Sequence, residues 1–313
     1  MRAAVIEHRG DRGELKEVPI PRPASHEILV RISAASVNPI DWKVRDGGER
    51  AMPFVLGQDF AGIVSATGQG VSKYHEGQRL FGIARDHGAY AEYTLVPDDD
   101  HSQPIAKIPD DVGDADAAAL PTAGLTALAA LDALGVKKDS LVVVLGATGG
   151  VGSFSVQIAR DRGARVIGTA RRSNEQLARS LGVDEFVAYD EQNVVEAIRT
   201  AHPQGVDAVL DLVDASGAIG AMAAALKTGG KIVSTIGAAD VEWFSQRGLF
   251  ALNIVMAETT ASSHEGLREL LKMVERGAIR VMIGGERSLA DVVGALDESK
   301  SGAVDGKLVL TVD

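Results

Sequence analysis

The chain has 313 residues, of which 45% are hydrophobic and 24% are charged, and its net charge is -11. At this length about three-quarters of the unfolded surface can be buried, so a disordered, collagen-like or coiled-coil chain is excluded, and two domains or one large α/β domain are predicted. The acidic balance argues against a nucleic-acid binder, and the absence of cysteine excludes disulfides, thiol nucleophiles and cysteine-ligated zinc.

The sequence also lacks the marks of a membrane or secreted protein. It contains no run of about 18 apolar residues that could span a bilayer, and its net charge argues weakly against docking on anionic lipids. Residues 1–9 are too charged for the apolar core of a signal peptide. We therefore expect a cytoplasmic enzyme with a small-molecule substrate, and neither nucleic acid nor a membrane as partner.

The first part of the chain, up to about residue 112, is predicted to be rich in β-strands. Short apolar runs are separated there by Gly, Pro, Asp or His, which is typical of strands joined by tight turns. The predicted strands are 27–32, 60–65, 79–82 and 89–96. No long amphipathic helix is predicted in this region.

From about residue 113 the pattern changes to apolar runs that alternate with helical stretches. The predicted helices are 114–120, 124–134, 150–162, 174–181, 193–201, 216–226, 264–276 and 289–299. The predicted strands are 141–145, 166–169, 186–188, 208–212, 231–235, 252–256 and 307–312. Six strands alternating with helices predict a parallel sheet covered on both faces, which fits a doubly wound dinucleotide-binding domain.

A glycine-rich turn follows the strand predicted at 141–145 and precedes a predicted helix. Small residues there let the backbone approach a pyrophosphate, and the helix N-terminus offers free N–H groups to the phosphates. The alternative is a purely structural turn. After Gly146, the candidate cofactor-binding residues are Ala147, Thr148, Gly149, Gly150, Val151 and Gly152.

The next strand indicates which nicotinamide cofactor fits. An NAD-binding domain usually has an acidic residue here that binds the ribose 2′-hydroxyl. This strand ends without one and is followed by Arg171, Arg172 and Ser173. Cationic and hydroxyl donors suit a 2′-phosphate, so the sequence favours NADPH, although two solvated arginines in a loop would look the same.

Ligands of open α/β sheets bind at the carboxyl ends of the strands. Further candidate cofactor residues therefore follow three of the predicted strands. Tyr189 ends the third strand and is expected to border the adenosine phosphate. The candidates after the fourth and fifth strands are Leu212, Val213, Asp214, Ile236 and Gly237.

The order and spacing of six short motifs resemble the zinc-independent quinone oxidoreductase branch of the medium-chain dehydrogenase/reductase superfamily. The motifs are SVNPIDWK at 36–43, LGQDFAG at 56–62, GAYAEY at 88–93, LPTAGLTA at 120–127, the turn at 147–152 and GKLVL at 306–310. The resemblance covers essentially the whole chain. It implies a GroES-like catalytic domain at 1–113 and 260–313, a Rossmann domain at 114–259, and a homodimer.

The same resemblance bears on metal binding. Zinc alcohol dehydrogenases of this superfamily have Gly-His-Glu where this chain has Gly57, Gln58 and Asp59. Glutamine is a poor zinc ligand, and none of the seven histidines forms a pair at metal-binding spacing. We therefore expect a metal-free enzyme.

The resemblance places Asn38, Asp41 and Lys43 beside the nicotinamide, as candidate catalytic residues. Lys43 would then place a cation or proton donor at a developing oxyanion; the alternative is an ordinary exposed lysine. Asp41 either caps backbone N–H groups or orients Lys43. Thr126 is expected to bond the cofactor or to face the core, and Lys307 to reach the cofactor or to be a solvated lysine.

These observations predict an NADPH-dependent, metal-free oxidoreductase that transfers hydride to quinones or α,β-unsaturated carbonyl compounds. Such acceptors suit a site without a Lewis acid, because the charge spreads into an enolate or a hydroquinone. Two alternatives stay open: a metal-free alcohol or aldehyde oxidoreductase, and a non-catalytic redox sensor that only binds NADPH.

Overall fold

The computed structural model describes residues 1–48, 50–84, 88–98, 103–213 and 218–313. The chain divides into two compact units. The first comprises Met1–Ala123, Ser263–Glu275 and Val281–Asp313, and the second comprises Gly124–Ser262 and Arg276–Arg280. Within the described residues, no helix is long and apolar enough to cross a membrane.

The chain begins with the strands of the first unit. Its elements are β1 (Arg2–Ile6), β2 (Leu15–Glu17), β3 (Glu27–Val37), α1 (Pro39–Gly47), β4 (Phe54–Val55), β5 (Asp59–Thr67), β6 (Arg79–Ile83), β7 (Tyr93–Pro97), β8 (Ile105–Lys107) and α2 (Asp114–Ala119). The next helix, α3 (Pro121–Leu134), begins in the first unit and continues into the second. Helix α2 packs on β3 and β5, so it belongs to the first unit, although the sequence placed residue 114 at the start of the second domain.

The second unit alternates strands and helices. Its elements are β9 (Leu141–Leu145), α4 (Gly150–Asp161), β10 (Arg165–Ala170), α5 (Glu175–Leu181), β11 (Glu185–Ala188), α6 (Val194–Ala201), β12 (Val206–Asp211), β13 (Leu226–Ser234), α7 (Val241–Ser245) and β14 (Phe250–Asn253). The chain ends with α8 (His264–Glu275), β15 (Ile283–Ser288), α9 (Val292–Ser301) and β16 (Lys307–Thr311).

Strand β3 is the centre of the first unit. It pairs antiparallel with β5, β7 and β16, and the larger sheet has the order β15-β16-β3-β5-β6-β8. Buried β-branched residues, among them Ile28, Val30 and Ile32, point from β3 into the core. The carboxyl end of β3 leads directly into α1, which brings the candidate residues after residue 37 to the end of the sheet.

The second unit contains the predicted doubly wound sheet. Its six strands are all parallel, in the order β11-β10-β9-β12-β13-β14. This order reverses at β9, and the crevice at such a reversal is where a dinucleotide binds. The predicted α/β fold class, a GroES-like β-rich part with a Rossmann sheet, is confirmed.

One predicted helix of the second unit is wrong in type. The sequence predicted an α-helix at 216–226, whereas Ala218–Ala225 form a 3₁₀ helix and residues 214–217 lie outside the described residues. Strand β13 starts at the next residue, Leu226. A 3₁₀ helix rises about 2.0 Å per residue against about 1.5 Å for an α-helix, so it covers a longer path before the strand begins.

Candidate functional site

A glycine-rich turn joins β9 to α4 at the carboxyl edge of the parallel sheet. Gly146 has a left-handed backbone, with φ of +86°. A Cβ added to Gly152 would lie 2.0 Å from the carbonyl oxygen of Gly146, which only glycine avoids. Because α4 starts at Gly150, its first amides and its positive dipole end lie at this turn, as a pyrophosphate requires. The residues present therefore fit a dinucleotide.

Ala147 replaces the first glycine of the common fingerprint and is fully buried. Its N–H donates to the carbonyl of Thr169 at 2.9 Å, and the N–H of Gly146 donates to the Thr169 hydroxyl at 3.1 Å. A Cβ added to Gly168 would lie 3.0 Å from the Ala147 Cβ. The turn is thus fixed to β10, and glycine at 168 leaves the space that the alanine fills.

The rest of the turn is held by hydrogen bonds. Gly149 donates its N–H to the carbonyl of Gly146 at 3.2 Å. The side chain of Asn174 donates to the hydroxyl of Thr148 at 3.4 Å and accepts from the hydroxyl of Ser173 at 3.3 Å. Ser173 is thereby connected to the turn through one intervening side chain.

The two arginines after β10 have different partners. Arg171 donates from Nε to the hydroxyl of Tyr189 at 3.1 Å. Arg172 donates to the carboxylates of Glu191 at 2.7 Å and Glu175 at 2.8 Å, and these two hydrogen bonds raise its pKa. Its charge is therefore balanced by two acidic neighbours, whereas the partner of Arg171 is a neutral phenol.

The remaining predicted cofactor residues of this unit follow β12 and β13. Leu212 and Val213 come after β12, and Ile236 and Gly237 come after β13. Val213 is 58% exposed, and Gly237 has a left-handed φ of +79°. Since β12 lies beside β9, these loops are on the opposite side of the glycine-rich turn from β10. Asp214 lies outside the described residues.

In the first unit, Asn38 and Asp41 stand at the start of α1 and are both buried. Asp41 Oδ2 accepts from the N–H of Asn38 at 2.8 Å and from the hydroxyl of Tyr90 at 2.7 Å. Burial, together with the nearby Asp41, raises the pKa of Tyr90 well above its ordinary value, so Tyr90 is a neutral donor. Two roles were considered for Asp41, capping of backbone N–H groups and orientation of Lys43. The structure shows the first, because Asp41 accepts from a backbone N–H at the start of α1.

Asp59, at the start of β5, is fully buried beside these residues. Its carboxylate accepts from Asn38 Nδ2 at 2.9 Å and from the Ser36 hydroxyl at 3.3 Å. It also accepts from the hydroxyl of Thr122 at 2.6 Å and from the Thr122 N–H at 3.2 Å. Burial raises the pKa of Asp59 even though the charge of Lys307 and these donors act to lower it.

Lys307 is the cation of this buried cluster. It is only 3% exposed, so the alternative of a solvated lysine is wrong. Its Nζ donates to the carbonyl of Val37 at 3.1 Å and to Asn38 Oδ1. Burial lowers its pKa, while Asp59 and Asp41 act to raise it. The ammonium and Asp59 together fix which way the Asn38 amide points, because one binds its oxygen and the other its nitrogen.

Two further candidate residues, Lys43 and Thr126, differ in burial. Lys43 is exposed on α1, with its Nζ 5.6 Å from the centroid of the Trp42 ring. Trp42 is half-buried and packs against the core of the first unit. Thr126 is buried on α3 within the second unit.

A zinc ion does not fit the residues that the structure describes. The chain has no cysteine. In the described ranges, a single group of three potential ligands has its ligand atoms within 4.8 Å of one another, and it consists of Glu7, His8 and Asp11. Glu7 and His8 are exposed, and the Glu7 carboxylate pairs with Lys16. Asp59, in the motif where zinc enzymes of the superfamily have Gly-His-Glu, has both oxygens engaged by protein donors.

Sequence reasoning missed five buried or half-buried polar residues at the carboxyl edge of the parallel sheet and in the buried cluster of the first unit. They are Asp59, Tyr90, Thr122, Asp211 and Ser234. A usable signal was present for three of them, because Asp59, Asp211 and Ser234 each stand at the end of an apolar strand. A polar side chain at such a strand end is buried only if it is hydrogen-bonded.

Comparisons with known proteins agree with this architecture. The model of the alcohol dehydrogenase GroES-like domain matches residues 24–110, and the zinc-binding dehydrogenase model matches residues 181–310. Among curated proteins, 2-methylene-furan-3-one reductase of Solanum lycopersicum is 30% identical over 94% of this chain and 74% of its own.

Solved structures give the same result. The quinone oxidoreductase of Coxiella burnetii is 31% identical with a TM-score of 0.88, covering 100% of this chain and 99% of its own. The Escherichia coli quinone oxidoreductase complexed with NADPH is 26% identical with a TM-score of 0.90, covering 99% of this chain and 100% of its own. The chain therefore belongs to the quinone oxidoreductase branch of the medium-chain dehydrogenase/reductase superfamily, and it is an oxidoreductase.

Proposed function

We propose that this enzyme uses NADPH, works without zinc, and reduces quinones or α,β-unsaturated carbonyl compounds. The observation that carries the proposal is the ligand site at the carboxyl edge of the parallel sheet. There a glycine-rich turn stands beside β10, and the residue that follows β10 is Arg171 rather than an acidic residue. The E. coli relative is complexed with NADPH, and the tomato relative is named 2-methylene-furan-3-one reductase.

The 2′-phosphate is recognised by Arg171, Tyr189 and Ser173 rather than by both arginines. Arg171 donates to the hydroxyl oxygen of Tyr189, and both the guanidinium and the phenol O–H can donate to a phosphate oxygen. Arg172 already pairs with two carboxylates, so binding a phosphate would require breaking those pairs. NADPH preference therefore rests mainly on one arginine.

Bound NADPH would supply hydride to a carbon of the conjugated acceptor, which would leave negative charge on the acceptor oxygen. The described residues do not form a zinc site that would stabilise this charge. We assign this role to Lys43, which is exposed on α1 and supplies a cation or a proton. Asn38, whose amide is held by Asp59 and Lys307, offers a second polar contact. Cytoplasmic location and a homodimer stay predictions.

An assay panel separates this function from its alternatives. Oxidation of NADPH and of NADH is measured with a quinone, an enone and a saturated aldehyde, each with and without EDTA. We expect turnover of the first two acceptors, a preference for NADPH of about tenfold, and no effect of EDTA. Turnover of the aldehyde alone would identify an aldehyde oxidoreductase, and tight NADPH binding without any turnover would identify a sensor.

A pair of variants decides whether the turn binds a cofactor or is only structural. Gly149 has an ordinary φ of -74°, and an added Cβ would lie at a normal 3.5 Å from the Gly146 oxygen. Gly149→Ala should therefore fold normally but weaken NADPH binding by about tenfold or more, since its methyl group occupies the approach of the pyrophosphate. The matched change Gly294→Ala, in open space on α9, should leave binding unchanged. Unchanged binding by Gly149→Ala would show a purely structural turn.

A further inference from the structure

The loops after β12 and β13 are tied together by one buried pair of side chains, Asp211 and Ser234. The two residues lie directly opposite each other in the parallel pairing of these strands. Both are fully buried. The Ser234 hydroxyl donates to Asp211 Oδ2 at 2.8 Å.

Each partner also holds backbone of its own loop. Asp211 Oδ1 accepts from the N–H of Val213 at 3.2 Å. The Ser234 oxygen accepts from the N–H of Ile236 at 3.3 Å and from the N–H of Ala238 at 3.2 Å. The pair therefore fixes three backbone amides in two loops, and a change in either side chain alters the path of the chain on both strands.

A buried carboxylate and a buried hydroxyl are costly unless they are hydrogen-bonded. The β-sheet itself does not need them, because the backbone of β12 and β13 is already paired along the strands. Their bonds go instead to residues beyond the strand ends. The hydrogen bonds of Asp211 and Ser234 thus stabilise the conformation of the two loops rather than the pairing of β12 and β13.

The position of these loops identifies the half of the cofactor that they receive. The glycine-rich turn after β9 takes the pyrophosphate, and the end of β10, with Arg171, takes the adenosine ribose and its 2′-phosphate. Since β12 and β13 lie on the other side of β9, the loops at 212–213 and 235–238 lie where the nicotinamide half extends. This step rests on the proposed function.

We propose that Asp211 and Ser234 are positioning residues for the nicotinamide half of NADPH. Their side chains do not touch the cofactor; they fix the shape of the two loops that contact it. Removal of the Ser234 hydroxyl leaves the amides of Ile236 and Ala238 without their acceptor, so the loop loses its fixed shape. The adenosine side of the site, at β10 and β11, keeps all of its contacts.

The test compares two ligands that differ in the nicotinamide half. Dissociation constants for NADPH and for adenosine 2′,5′-bisphosphate, which has no nicotinamide, are measured by titration calorimetry. Ser234→Ala should raise the constant for NADPH by about tenfold, since each 1.4 kcal/mol of lost binding is tenfold, and leave that for the bisphosphate within about twofold. Asp211→Asn should act in the same direction and serves as the second variant if Ser234→Ala fails to fold.

The matched control is Ser155→Ala. Ser155 is also fully buried in the second unit, but the partner of its hydroxyl among the described residues is the carbonyl of Val151 inside α4. It should lose a similar amount of thermal stability without any change in the ratio of the two dissociation constants. An equal weakening of both ligands by Ser234→Ala, or no weakening of either, overturns the inference.

The experiment also separates this inference from the proposed function. If the unsubstituted enzyme binds neither NADPH nor the bisphosphate, the proposed cofactor is wrong and the positioning role falls with it. If the enzyme binds both and the variants change nothing, only the roles of Asp211 and Ser234 are wrong.

Discussion

Replacement of Lys307 by methionine tests whether the buried ammonium holds the candidate substrate residues in place. Methionine keeps a long unbranched side chain and removes the charge and its donors. The carbonyl of Val37 and the Asn38 Oδ1 atom each lose a donor, and Asp59 loses a neighbouring positive charge. The oxygen of the Asn38 amide is then no longer held by Lys307, whereas its nitrogen still donates to Asp59.

The expected loss follows from these contacts. An unsatisfied buried acceptor costs about 1–3 kcal/mol, and two of them are created. Part of this loss is offset, because burial of the ammonium is itself unfavourable, as the lowered pKa of Lys307 shows. We expect a net loss of about 2–4 kcal/mol in the free energy of unfolding, which lowers Tm by about 3–6 °C for a chain of this length.

Thermal unfolding and steady-state kinetics with an enone provide the measurement. Alongside the loss in Tm, kcat/KM should fall by about tenfold while the KM for NADPH changes little, because Asn38 and not the cofactor site is disturbed. The control is Lys107→Met, an exposed lysine at the end of β8, which should change stability by less than about 0.5 kcal/mol. A Lys307→Met enzyme with normal Tm and normal kcat/KM would show that the ammonium holds nothing in place.

Three further predictions concern single charged residues. Arg171→Ala should raise the KM for NADPH by about tenfold and leave NADH unchanged, whereas Arg172→Ala should have a much smaller effect; equal effects would contradict the assignment. Lys43→Met should lower kcat/KM for an enone by about tenfold or more, and intact turnover in the folded variant would remove its role. Arg45→Met should destabilise the enzyme at pH 7. Because the hydrogen bond from Arg45 lowers the pKa of Asp46, this contribution is present above the ordinary value of 3.8 and is lost as pH falls through the lower folded value, so urea midpoints of the two enzymes should converge in acid.

The parallel sheet could be predicted because each of its strands is a local signal. The strand predicted at 141–145 is β9 with the same bounds, and the others shift by a few residues. Each is a short apolar run between helical stretches, and their alternation specifies the topology. The helix predicted at 216–226 is wrong in type because a run of small apolar residues carries no local signal that distinguishes an α-helix from a 3₁₀ helix.

The site could be predicted only where it is continuous in the chain. The turn at 146–152 carries its own pattern of small residues, and its strand and helix are its neighbours in sequence. The cluster of the first unit has no such pattern, because Lys307 and Asn38 are 269 residues apart and Asp59 and Thr122 are 63 apart. Their contacts depend on the pairing of β16 with β3 and of β3 with β5, which local sequence does not encode.

The same cluster shows how the buried charges of the first unit are compensated by side chains of this chain. A buried carboxylate needs compensating donors or a cation. Asp59 obtains the donors from Asn38, Ser36 and Thr122, and Lys307 supplies the positive charge from the last strand of the chain. The arrangement of the polar groups in this unit therefore depends on the ammonium of Lys307. Because this cation is part of the chain, neither a chelator nor a competing metal ion can remove it.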